Sequence, residues 1–229
     1  ADLFVKFERA SGPFKDPNVF GPYLIPAIVY ALHLWLTRPL HRGLLPALAF
    51  AVLTIALLLS FSRAAWAGAV VAIALYLYLS FVTTRRDLDR LRITGLVLAG
   101  ALLLVPLLAA ALQHDAIGKL FSERATLTQS YDVGPEGRFG GQEKALDLIA
   151  EHPLGLGALE FSRSYHHEEV HNVYLSMFLN AGWIGGCLFL ALSVSLLALS
   201  LKHALRRGTL QALHIVAFAA LSSNVLIGA

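Results

Sequence analysis

The sequence predicts an all-α protein: a polytopic transmembrane helix bundle of about six spans, with one long extracytoplasmic loop containing short helices. Three observations predict it. Of the residues, 57% are hydrophobic and 14% charged, whereas a soluble domain carries about 25% charged residues. The charges cluster between apolar runs long enough to cross a bilayer, which takes about 20 residues. One long polar segment, residues 113–171, interrupts these runs and holds ten acids against five Lys and Arg. The formal charge of +3 is too modest to argue for a nucleic-acid partner. The single cysteine, Cys187, lies in an apolar run, so no intrachain disulfide can form. Asp2, Lys6, Glu8 and Arg9 interrupt any signal-peptide core at the N-terminus.

In chain order, Asp16-Pro17-Asn18 is turn chemistry leading into a first span at residues 20–36. Pro22 is expected in its first turn, where proline costs little, and Pro26 at a kink. A short loop with Arg38, His41 and Arg42 follows. The second and third spans, 43–61 and 64–82, meet at a tight turn, Ser62-Arg63. A loop with Arg85, Arg86, Arg90 and Arg92 leads to the fourth span, 93–112. After the polar segment comes a fifth span, 172–201, long enough to tilt or to project from the bilayer. Lys202, Arg206 and Arg207 precede a sixth apolar run from Leu210 to the end. The chain starts at Ala1 and ends inside an apolar stretch, which reads as a single transmembrane domain, 1–229, cut from a longer protein.

Orientation follows from the positive-inside rule. Counted alternately, the loops with Arg38 and Arg42, with Arg85 to Arg92, and with Lys202 to Arg207 fall on one side. That side is expected to be cytoplasmic. The N-terminal segment, the Ser62-Arg63 turn and the polar segment then fall on the other side. Within the polar segment, Gly134, Gly137, Gly140 and Gly141 read as a flexible turn. A short helix, 142–151, follows with Ala145, Leu146 and Ile149 on one face. Pro153, Gly155 and Gly157 stop it.

Three residues on the outer side are suited to chemistry. Arg63 is either an arginine snorkelling to the interface or an anion clamp, since guanidinium matches phosphate oxygens bidentately. Arg138 stands between a glycine turn and a helix start, where backbone N–H groups favour phosphate, although such turns are common. His171 opens the fifth span beside Asn172, a candidate cap. A helix N-terminus disfavours imidazolium, which suits a general base; an interfacial or capping histidine is the plainer reading. His167-Glu168-Glu169-Val170-His171 also matches the zinc-protease spacing H-E-x-x-H. That chemistry needs both histidines on one helix and a third ligand. No Asp or Glu follows Glu169, and Tyr174 and Met177 stand where the extended motif needs glycine and histidine.

Three pieces occur in order: Ser60-Phe61-Ser62-Arg63-Ala64-Ala65-Trp66-Ala67-Gly68; Gly137-Arg138 running to His152-Pro153-Leu154-Gly155-Leu156-Gly157; and His171-Asn172-Val173-Tyr174-Leu175 followed by Gly182-Trp183-Ile184-Gly185. Together they resemble the O-antigen ligase and polymerase family of bacterial polysaccharide assembly. Phe14 to Gly21 is similar to members of that family too. The resemblance implies a membrane-embedded glycosyltransferase of the GT-C type. It implies glycan transfer from an undecaprenyl-diphosphate carrier, at the periplasmic face of the inner membrane, with no cofactor or metal and with inversion. The acceptor would be lipid A-core or another lipid-linked repeat unit, as in lipopolysaccharide biosynthesis, or a protein hydroxyl. Carried over, Arg63 and Arg138 match the family's essential arginines, which would bind the diphosphate, and His171 matches its essential histidine. Two readings from other classes compete: a membrane zinc protease, and a transporter that binds lipid diphosphate without chemistry. The second would use the arginines but need no base.

Overall fold

The structure, a computed structural model, describes residues 4–6, 9–14, 16–113, 134 and 137–228. The stretch 114–133, with Pro135 and Glu136 of the expected glycine turn, lies outside the described residues. Among the described residues the architecture is the expected all-α, polytopic membrane bundle. A minimal hairpin, β1 (Val5–Lys6) paired antiparallel with β2 (Arg9–Ala10), precedes it. The helices are α1 (Pro17–Thr37), α2 (Leu40–Leu59), α3 (Arg63–Thr83), α4 (Asp87–Leu112), α5 (Arg138–Glu151), α6 (Glu160–Ser164), α7 (Val173–Leu205) and α8 (Gln211–Ile227). Among the described residues four are long and apolar enough to span a membrane: α1, α2 from His41, α3 and α7. The expected fourth span falls on α4, and the sixth on α8, a shorter apolar helix.

The helix boundaries follow local chemistry. The Asp16 carboxylate caps α1 by accepting from the Asn18 N–H at 2.7 Å, and Pro17 occupies the first turn, where its missing N–H costs nothing. Pro22 was expected there; it lies inside the helix with Pro26 because the helix starts earlier.

The chain forms two compact units. The first comprises Ala1–Ala125 and Leu199–Ile227; the second comprises Thr126–Ala198 and Gly228–Ala229. In the first, α1 packs against α2, α3 and α8, and α3 packs against α8. Its core is Ile25, Ile28, Val29 and Leu32 of α1 with Ala65, Ala72 and Tyr76 of α3 and Ala219 of α8. Lipid offers no hydrophobic drive between helices, so close backbone approach and hydrogen bonds must hold them. Ala65, Gly68, Ala69 and Ala72 supply that approach as a small-residue stripe. A side chain at Gly68 would overlap Ile227, and the Ser223 hydroxyl donates to the Gly68 carbonyl at 2.8 Å. The second unit has its own core of Ala145, Leu148, Phe161 and Leu179, with Ile149, Leu156, Tyr165 and Val170 against it.

Candidate functional site

Arg63 does not lie in the turn between spans, as expected; it is the first residue of α3. The turn is Ser60-Phe61-Ser62. The Ser60 hydroxyl donates to the Leu57 carbonyl at 2.6 Å, and Phe61 takes a left-handed φ of 46°. The Ser62 hydroxyl caps the helix, accepting from the Ala65 N–H at 3.4 Å. Arg9 donates through Nε to the Ser60 carbonyl at 2.7 Å. Both serines are buried, whereas Arg63 is half-buried. A cation at a helix N-terminus meets the positive end of the dipole, so the helix itself gives no support to a guanidinium there.

Arg138 is likewise the first residue of its helix, α5, behind the N-cap Gly137, whose place no capping side chain fills. Gly140 and Gly141, expected in the flexible turn, are in the first helical turn instead. The helix therefore starts earlier than expected, and its buried face is Gly141, Ala145 and Leu148. Leu146, expected on that face, is 56% exposed. Positions 141, 145 and 148 recur at helical spacing, and Ala145 and Leu148 pack with Phe161 and Leu179; position 146 points away.

His171 precedes α7, and Asn172 is the cap expected: its carboxamide oxygen accepts from the Tyr174 and Leu175 N–H groups, each at 3.0 Å. His171 Nε2–H donates to Glu168 Oε2 at 3.1 Å. That hydrogen bond holds the Glu168 carboxyl below its ordinary range, outweighing the smaller opposing effect of burial. The loop bearing the pair is fixed at several points. The Glu168 N–H donates to His166 Nδ1 at 3.2 Å, and the His166 ring stacks on Phe161 at 5.7 Å. Glu169 Oε1 accepts from the Ser162 N–H at 3.2 Å, and Lys144 of α5 donates to the Tyr165 carbonyl.

The stretch 167–171 is not helical. His167 and His171 are therefore not stacked one turn apart on a helix face, the arrangement that gives H-E-x-x-H its zinc chemistry. Among the described residues no three His, Cys, Asp or Glu side chains are grouped as a metal set.

Glu168 and His171 are thus brought together. The start of α5 lies against the same loop, since a Cβ at Gly141 would come within 3.3 Å of the His166 ring. Arg138 and His171 belong to the second unit and Arg63 to the first.

Residues 48–190, more than half of the chain, match the O-antigen ligase family. The chain belongs to that family. No curated protein and no solved structure matches it. Membership makes this a multi-pass membrane protein of the ligase and polymerase type, which transfers glycans.

In this O-antigen ligase family member, the stretches His152 to Gly157 and Gly182 to Gly185 meet each other. Helix α7 is broken at Gly182, with φ 68° and ψ −172°, a region only glycine adopts readily. A break inside an apolar helix leaves backbone groups that lipid cannot satisfy. The loop after α5 satisfies them: the Leu156 N–H donates to the Leu179 carbonyl at 2.6 Å, and the Trp183 N–H donates to the Pro153 carbonyl at 2.9 Å. The Trp183 indole N–H adds a bond to the Ile149 carbonyl at 2.8 Å. Gly155 makes the approach possible, because a Cβ there would stand 2.5 Å from the Gly182 nitrogen. Sequence reasoning passed over Gly182 as a structural break and Glu168 as a partner of His171. The signal for Glu168 was its place three residues before a candidate base.

Proposed function

We propose that the protein transfers a glycan from undecaprenyl diphosphate to an acceptor hydroxyl at the periplasmic face of the bacterial inner membrane. Arg63 and Arg138 bind the diphosphate, and His171 takes the proton of the acceptor. Lipid A-core and a second lipid-linked repeat are the two acceptors that fit the family. The observation that carries the reading is the placement of both arginines at the first position of a helix. The dipole opposes a cation there, while the same helix end favours an anion. A bound diphosphate answers both, with guanidinium and backbone N–H groups acting on one ligand. Family membership and the His171–Glu168 pair support the rest.

In the reaction, the acceptor oxygen attacks the anomeric carbon as the bond from that carbon to the diphosphate oxygen breaks. The bonding pair leaves with the diphosphate, whose growing charge the arginines stabilise. The acceptor proton passes to His171. With Nε2 committed to Glu168, Nδ1 is the nitrogen left to receive it. Glu168 fixes that tautomer and stabilises the imidazolium formed, as an orienting carboxylate does in other acid–base pairs. A single displacement inverts the anomeric centre, and no metal enters any step.

The test is a reconstituted reaction with a polyprenyl-diphosphate-linked glycan, an acceptor and excess chelator. The expected products are free polyprenyl diphosphate and a glycoside of inverted anomeric configuration, resolved by NMR. A retained configuration, or loss of turnover on chelation, overturns the mechanism.

A further inference from the structure

At the other end of α3 from Arg63, 21 residues or about 30 Å along the helix, the first unit contains a cavity of about 520 Å³. The size falls within the roughly 300–1,000 Å³ of small-molecule sites. It lies among the C-terminal ends of α1 and α3, the first turns of α4, and the start of α8. Arg85, Arg86 and Arg92 line it, against a single carboxylate, Asp89. Among the described residues no acid is ion-paired with any of these three arginines. Arg90, by contrast, is occupied, within 4.0 Å of Asp87 and over the Phe81 ring, and does not face the cavity. The cavity also has a polar wall within the helix layer: the buried His33 and Tyr76 side chains hydrogen-bond at 3.1 Å, and Ser80 stands beside them. Leu36, Ile93 and Ile215 supply apolar surface.

Marking one side of the membrane requires arginines near helix ends, but it requires neither a cavity nor a polar wall. A cavity of net positive charge, part polar and part apolar, at the ends of spanning helices has the chemistry of a lipid phosphate site. We propose that this cavity binds the phosphate headgroup of an anionic membrane phospholipid. The three guanidiniums hold the phosphodiester, the His33, Tyr76 and Ser80 groups meet the headgroup polar atoms, and the apolar residues carry the first segment of acyl chain. On the orientation proposed above, this end faces the cytoplasmic leaflet. None of the proposed glycan-transfer residues lines the cavity, and its test does not depend on transfer.

The full chain in neutral detergent is titrated with short-chain phosphatidylglycerol, short-chain phosphatidylcholine and inorganic phosphate, and binding is read from the unfolding temperature. The expected result is saturable stabilisation by phosphatidylglycerol alone. Replacing Arg85, Arg86 and Arg92 together by Gln weakens that binding by about 100-fold, as loss of about 1 kcal/mol per basic residue requires. The double variant Arg38→Gln/Arg42→Gln, which removes exposed arginines that do not line the cavity, changes it by less than about twofold. If the triple variant does not fold, Arg92→Gln alone is titrated and must weaken phosphatidylglycerol binding. Equal binding of phosphatidylcholine, equal loss in the Arg38/Arg42 control, or undiminished binding by the cavity variants overturns the proposal. Saturation by inorganic phosphate at the same concentration overturns the lipid assignment in favour of a soluble anion.

Discussion

Two helices begin with an arginine, and they are built differently. The start of α3 is held by side chains: Ser60 and Ser62 are buried, Ser62 caps the helix, and Arg9 braces the turn. The start of α5 has no capping side chain, and glycines allow close approaches in its unit, with Gly141 against His166 and Gly155 against Gly182. A capped helix start has already given part of its N–H capacity to its own serine. An uncapped one keeps that capacity for a ligand. On the proposed function, Arg63 therefore has less help from its helix end than Arg138, which shares an anion with the uncapped helix end behind it.

Changes aimed at each side sharpen or break this contrast. The largest effect is expected at Gly182→Ala, where φ and the Pro153 carbonyl 2.5 Å from a new Cβ both resist a side chain. It should cost about 3 kcal/mol or more, read as a lower unfolding temperature; an unchanged temperature would show that the α7 break is not held by the loop. Arg63→Lys removes bidentate contact and should lower glycan transfer about 100-fold at unchanged stability, while Arg138→Lys should lower it less, about tenfold. Equal losses would erase the contrast between the helix starts. Glu168→Gln should reduce turnover by about tenfold with little effect on donor affinity, since it loosens the base rather than the anion site; an effect confined to KM would remove Glu168 from that role. Ser62→Ala should cost about 1 kcal/mol through the lost cap.

The smallest effect is a pH dependence. A carboxyl whose folded pKa lies below its unfolded value stabilises the protein above that value and loses the contribution as pH falls through the folded one. Glu168 is such a group, but its side chain is 57% exposed, so solvent screening leaves only a small difference. Wild type should unfold slightly higher than Glu168→Gln at neutral pH, and the two should converge as pH falls through the lowered Glu168 pKa.

Much of the fold was legible in the sequence because lipid imposes long, uninterrupted apolar runs, and 20–36, 43–61 and 64–82 each fall within or across a helix of the expected place. One cap was legible for a local reason, Asn172, a short acceptor just before a helix; Asp16, read as turn chemistry, proves to be a cap too. The α7 break was not, because Gly182 sits among apolar residues in a run that reads as one helix. What forces the break is a contact with a loop about thirty residues earlier. The face of α5 read as Ala145, Leu146 and Ile149 was right at Ala145 and Ile149, which meet the core, but took Leu146 in place of Leu148. For the candidate site, local signals singled out Arg63, Arg138 and His171, but not the hydrogen bond that joins Glu168 to His171 in a non-helical loop. The cavity behind Arg85, Arg86 and Arg92 was equally hidden, since it takes four helices to enclose it.

The central claim is that His171 is the base of a glycan transfer whose donor is held elsewhere. His171→Ala tests it most directly, with transfer and binding of the polyprenyl-diphosphate donor measured on the same preparation. Transfer should fall by about 100-fold or more while donor binding stays at the wild-type level. Wild-type transfer by the variant would contradict the account.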